Sequence, residues 1–102
     1  MDPLENTELL TEICRAIAEH PDRIEIKEYV TGDALDLRII CHPNDAGRIV
    51  GKNGETIQAI RRIFFTIAFY DQTSILIDLD ESVKDHKEKQ VVREKQIRIV
   101  NE

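Results

Sequence analysis

Tryptophan is absent, and the 102 residues hold only two cysteines and four glycines. No apolar run approaches the roughly 20 residues of a membrane-spanning helix. The N-terminus, MDPLENTELL, is acidic where a secretory leader would be basic, which predicts a cytoplasmic protein. Cys14 and Cys41 each sit in an apolar pattern. Two isolated cysteines make neither a disulfide framework nor a metal site, so both are expected to be buried free thiols. His20, His42 and His86 lack ligand spacing, and no metal or cofactor is expected. The phosphate-binding patterns GxxxxGK[ST] and GxGxxG after a strand are both missing. Ser74 and Ser82 have no evident His/Asp partner, and no carboxylate pair falls in a predicted cleft. The sequence predicts no enzyme.

What is present is enough for one small domain. Hydrophobic residues make up 41% of the chain, which argues for a packed core over disorder. The net charge of −6 disfavours nucleic acid at first sight. Its distribution reverses that reading. Residues 1–40 hold ten acids and four bases, and residues 63–102 hold eight acids and six bases. Between them, residues 41–62 hold two acids, Asp45 and Glu55, against four bases, Arg48, Lys52, Arg61 and Arg62. An acidic body with one basic patch directs an anion to that patch.

Residues 5–19 predict a helix from the recurrence of Leu9, Leu10, Ile13, Ala16 and Ile17, with Asn6 or Thr7 as cap and His20-Pro21 as stop. RIEIKEYV (23–30) alternates, with Ile24, Ile26 and Val30 on one face. Residues 34–41 alternate again, placing Leu35, Leu37, Ile39 and Cys41 inward. Thr31-Gly32-Asp33 joins the two runs as a hairpin. A short helix is predicted at about 44–50, and a long one from Glu55 to about Tyr70 with Ile57, Ile60, Ile63, Phe64 and Ile67 on one face. TSILIDLD (73–80) predicts a strand. The expected fold is α+β, in the order α-β-β-α-α-β, with helices on one face of a three-stranded sheet. The expected domain is 1–80. Residues 81–102 are read as a charged C-terminal extension, although QIRIVNE begins with strand-like alternation.

Three of the four glycines lie in 47-GRIVGKNG-54. Gly51 is placed to end one helix and Gly54 to start the next, leaving backbone amides open to a phosphate. Lys52 points to solvent and neutralises charge. Asn53 tolerates left-handed backbone angles and donates from its amide. Gly47, four residues before Gly51, either permits close helix packing or bares a strip of backbone for a sugar or base. Ile49, Val50 and Ile57 either fill the core or form the apolar floor of a groove. Arg48, Arg61 and Arg62 add charge at the rim. Apolar below and cationic at the rim is what a single nucleic-acid strand requires.

The run Ile49-Val50-Gly51-Lys52-Asn53-Gly54-Glu55-Thr56-Ile57 resembles the KH signature, [IV]-[IV]-G-x-x-G-x-x-[IV]. The element order resembles the type II KH arrangement. HPNDAGRIVGKNGETIQAIRRI, with HPDRIEI upstream, is similar to the bacterial KhpA family of small single-domain KH proteins. The resemblance covers residues 5–80. It implies a GXXG loop clamping about four nucleotides of single-stranded RNA, messenger or small regulatory, in a post-transcriptional regulator or RNA chaperone. It also implies a homodimer or pairing with a larger Jag/KhpB-like KH protein, and links to cell shape. The tail from Glu81 lies outside it.

A second reading is a KH fold serving mainly as a protein–protein adaptor. Phe65 and Phe69, four apart and off the main helix stripe, mark its candidate interface. An enzyme acting on a phosphorylated small molecule is disfavoured, because nothing here activates a nucleophile.

Overall fold

The computed structural model describes residues 2–84. Its elements are α1 (Pro3–Ile17), β1 (Glu25–Thr31), β2 (Ala34–Ile40), α2 (Ala46–Val50), α3 (Glu55–Asp71) and β3 (Ser74–Leu79). Single 3-10 turns at Pro21–Arg23, Pro43–Asp45 and Lys52–Gly54 punctuate them. The α+β order expected from the sequence is the order found.

α1 starts earlier than the sequence suggested. Asp2 is its cap and accepts from the Glu5 amide, and Pro3 fills the first helical position, where no N–H is needed. Leu10 and Cys14, four apart, bury the inner face. β1 and β2 pair antiparallel with Val30 opposite Leu35 and Ile26 opposite Ile39. β3 runs parallel to β2 on its other side, so α2 and α3 form the crossover between them. Leu35, Leu37 and Ile39 alternate inward from the central strand and meet Leu10, Ile60 and Phe64 in one core. Phe64 is fully buried, so its loss to alanine is expected to cost about 3–5 kcal/mol.

Two inward placements differ from expectation. β1 is an edge strand whose inner face is incompletely covered. Glu28 there is reached by the Thr7 hydroxyl of α1, and Val30 is 53% exposed. On α3 the buried stripe is Ile57, Ile60, Phe64 and Ala68. The helical period carries Ile63 past that stripe, and it is 49% exposed. α3 ends on Gln72 in the left-handed conformation, a stop that needed no glycine.

After β3 the Asp80 amide donates to the Ile39 carbonyl, and the Asp80 carboxylate accepts from the Ser82 amide and hydroxyl. This turn drives Val83 into the core, where it is 6% exposed. Most of the expected C-terminal extension, residues 85–102, lies outside the described residues.

Candidate nucleic-acid interface

The turn between α2 and α3 is shaped by three residues with positive φ: Gly51 (80°), Asn53 (58°) and Gly54 (74°). Gly51 is fixed twice over. Besides its φ, an added Cβ would lie 2.2 Å from the Thr56 hydroxyl oxygen. Gly54 is constrained by φ alone, for nothing lies within 4 Å of a Cβ there. No side chain caps the start of α3; the Glu55 amide donates to the Lys52 carbonyl and the Gly54 amide to the Gly51 carbonyl, and the positive end of the 17-residue helix's dipole faces the loop. Lys52 and Asn53 are exposed at its tip.

The start of α2 is held by a buried carboxylate. Asp45, just ahead of α2, is completely buried and accepts from the Glu19 amide (3.0 Å) and the His20 amide (2.9 Å), with His20 Nδ1 at 3.2 Å. Burial alone would push its carboxyl up. These donors outweigh burial and hold it below the ordinary carboxylate range. His20 stacks on His42 at 4.0 Å, and His42 Nδ1 accepts from the Asn44 amide. The cluster ties the end of α1 to the start of α2. Sequence reasoning missed Asp45, since its partners lie 25 and 26 residues away. Only its place just before a predicted helix was a signal.

The residues singled out in the sequence separate into three groups. Ile49 is fully buried and Ile57 nearly so, which places both in the core under the loop; Val50 is half-buried. Gly47 is exposed with no atom within 4 Å of a Cβ, so helix packing does not require it and the bare strip of backbone remains. The arginines divide sharply. Arg48 donates from Nε to the Ile17 carbonyl at 2.8 Å and lies 3.6 Å from Glu19. Arg61 donates from Nε to the Ile77 carbonyl at 2.8 Å and from Nη2 to Asp78 at 3.3 Å. It caps the open edge of β3 and is not brought to the loop.

Arg62 is the opposite case. It is exposed, has no ion-pair or hydrogen-bond partner for its guanidinium among the described residues, and lines a depression of about 530 Å³ with Asn53, Glu55, Gln58, Ala59, Ile63 and Thr66. Arg15, Lys27, Arg38, Arg48, Arg61 and Lys84 all have acidic partners. Arg23, Lys52 and Arg62 have none among the described residues; Lys52 is in the loop itself, and Arg62 is two turns along α3.

Phe65 (69%) and Phe69 (68%) are exposed, as is Leu76 on β3 (62%). Burial pushes the thiols of Cys14 and Cys41 up to about 12 and about 11, so neither is a nucleophile at neutral pH. Among the described residues no group of His, Cys, Asp or Glu is arranged to hold a metal, and no helix is long and apolar enough to cross a membrane.

Two helices joined by a GKNG turn, set between parallel β2 and β3 with β1 antiparallel alongside, define a KH domain of the type II order. The sequence model described as "KhpA/KhpB, KH domain" matches residues 7–79. The chain belongs to that family. It is 34% identical to the RNA-binding protein KhpA of Streptococcus pneumoniae over 79 residues, 76% of this chain and 98% of that protein. Against the RNA-binding protein KhpA of Halalkalibacterium halodurans it is 30% identical over 71 residues, 70% of this chain and 93% of that protein. The Bacillus subtilis KhpA is 28% identical over 72 residues, 71% of this chain and 89% of that protein. No solved structure matches the chain.

Proposed function

We propose that this protein binds single-stranded RNA, clamping about four nucleotides at the GKNG loop. The observation that carries the reading is the loop itself: the positive end of α3, without a side-chain cap, set beside a lysine with no acidic partner among the described residues, in an otherwise acid-rich chain. A phosphate rests at that helix end, Lys52 neutralises it, and Asn53 adds a side-chain amide donor. Gly47 lets a sugar or base lie on the backbone of α2, and half-buried Val50 supplies apolar contact. A post-transcriptional regulator or RNA chaperone in the cytoplasm fits such a short grip.

The test replaces Lys52 and Asn53 together by aspartate. Two negative charges then stand where a phosphate must sit. Near-surface repulsion of that kind is on the order of a few kcal/mol, so affinity for a short single-stranded RNA falls by roughly a hundredfold. Both side chains are exposed, so folding stability moves by no more than about 0.5 kcal/mol. Unchanged anisotropy titrations with an unchanged melt defeat the clamp.

Phe65 and Phe69 favour a partner as well, either a second copy or a larger KhpB-like KH protein. Together with Leu76 they present large apolar side chains beside the edge strand β3. Sedimentation of the wild type against Phe65→Glu/Phe69→Glu is expected to separate an assembled species from a folded monomer. A wild type already monomeric at tens of micromolar rejects the homodimer.

A further inference from the structure

We propose that the cavity between the start of α1, the β1–β2 turn and the start of β3 binds a small primary ammonium carried on an apolar body of about ring size. The GKNG loop adjoins the other end of α3, so this site and the clamp stand or fall separately. The cavity holds about 220 Å³. Pro3, Val30, Leu35 and Ile75 give it apolar walls. Asn6 lines it as well and is only 3% exposed.

Asn6 supplies the observation that points to a ligand. Its Oδ1 is buried and meets no hydrogen-bond donor among the described residues. The orientation of the amide is set, because Nδ2 donates to the Asp2 carbonyl at 3.4 Å and a flipped amide would turn two acceptors on each other. The orphan is therefore an acceptor, and a buried acceptor left unmet is costly. What completes it must bring an N–H or O–H. Charge selects between them. Asp33 lies on the rim, exposed, with no partner for its carboxylate among the described residues, and none of the lining residues is basic. The positive end of α1, which would favour an anion, is already answered by the Asp2 carboxylate on the Glu5 amide. An ammonium meets these demands. It brings one donor for Asn6 Oδ1, others for the rim, and a charge that an acid-rich chain attracts. Size sets the body. A cavity of about 150 Å³ takes up benzene, so this one has room for a ring with a short arm.

Phenethylamine, phenethyl alcohol and phenylacetate share one body and differ in charge. Each is titrated into isotope-labelled full-length protein at neutral pH while amide chemical shifts are followed. The amine is expected to give saturable shifts at Asn6, Asp33 and Thr73 and to bind about tenfold more tightly than the alcohol, whereas phenylacetate does not bind. Asp33→Asn, on the exposed rim, lowers the amine's affinity several-fold and leaves the alcohol unchanged. Asn6→Leu removes the acceptor and keeps the bulk, so saturable amine binding is lost while the melt holds or rises. Should Asn6→Leu not fold, Asp33→Asn and the charge series decide alone. Absence of saturable shifts up to about 10 mM amine overturns the site and leaves ordered water as the partner of Asn6. Equal binding of all three compounds, or shifts centred on Lys52 or Phe65, overturns it as well.

Discussion

Arg61 and Arg62 are neighbours in the chain and opposites in their surroundings. On the Arg61 side, at the end of β3, the charges answer one another. Asp78 takes Arg61 and Lys84, Asp80 takes Lys27, and Arg38 lies between Asp36 and Glu81. On the Arg62 side, Arg62 and Lys52 are exposed and have no acidic partners among the described residues. The two regions carry similar residue types but perform different work. Paired charge satisfies an exposed strand edge and closes the C-terminal turn. Unpaired charge is what remains to attract a ligand to an acidic protein. Counting bases by sequence segment locates the basic patch but does not tell these two uses apart.

The division is broken most severely from below, at Asp45. Replacing it by alanine strands the amides of Glu19 and His20 around a new cavity, and is expected to cost about 3 kcal/mol. A denaturant titration measures it, and RNA affinity should fall only as far as the folded population falls. The same carboxylate sets a pH dependence. Asp45, Asp78 and Asp80 are all held below the ordinary range in the folded protein. Their contribution is therefore complete above about pH 4, the usual carboxylate value, and is lost as pH drops through the lower folded values. Melting temperature should decline over that acidic window, and an Asp45→Asn protein should decline less steeply. A wild-type melt that is flat down to pH 3 contradicts the account.

A smaller effect sharpens the boundary of the paired region. Val83 is buried, and Lys84 reaches Asp78. A chain ended after Asp80 loses both, while one ended after Lys84 keeps both. The longer chain is expected to be more stable by about 2 kcal/mol, nearly all from burying the valine, because a partly exposed ion pair adds little. Equal melting temperatures for the two would mean that the turn after β3 contributes nothing to the core.

Much of this fold was legible because local pattern and global packing agree. Alternation in 34–41 put Leu35, Leu37 and Ile39 on one face, and that face is the core. Gly51 and Gly54 bracket residues whose neighbours read as helix, and both adopt positive φ. What the sequence withheld depends on distant partners. Ile63 matched the apolar stripe of α3 by spacing, yet about 100° per residue carries it to the rim. Arg61 and Arg62 are indistinguishable until β3 is in place to supply the Ile77 carbonyl to one of them. Asp45 read as an ordinary helix-start acid until residues 19 and 20 arrived to bury it. Val83 fell in a stretch whose composition reads as solvated, and one apolar residue among charges carries no periodicity.

The smallest expected effect distinguishes the two regions most cleanly. Gly47 lies inside α2 with nothing near an added methyl group, and its carbonyl accepts from the Gly51 amide at 2.8 Å. As a helical position it gains from alanine, by up to about 0.5–1 kcal/mol, because glycine surrenders more backbone freedom on folding. The shortness of α2 puts the expectation at the lower end. If the bare backbone is where a sugar or base rests, the same methyl group holds the ligand off and weakens binding several-fold. Stability and affinity then move in opposite directions on one substitution, which neither misfolding nor a loss of charge can imitate. Denaturant midpoint and anisotropy on Gly47→Ala measure the pair. A rise in stability with unchanged RNA binding removes Gly47 from the interface and leaves the clamp to the loop alone. A fall in stability shows instead that α2 is packed more closely than its open surroundings allow.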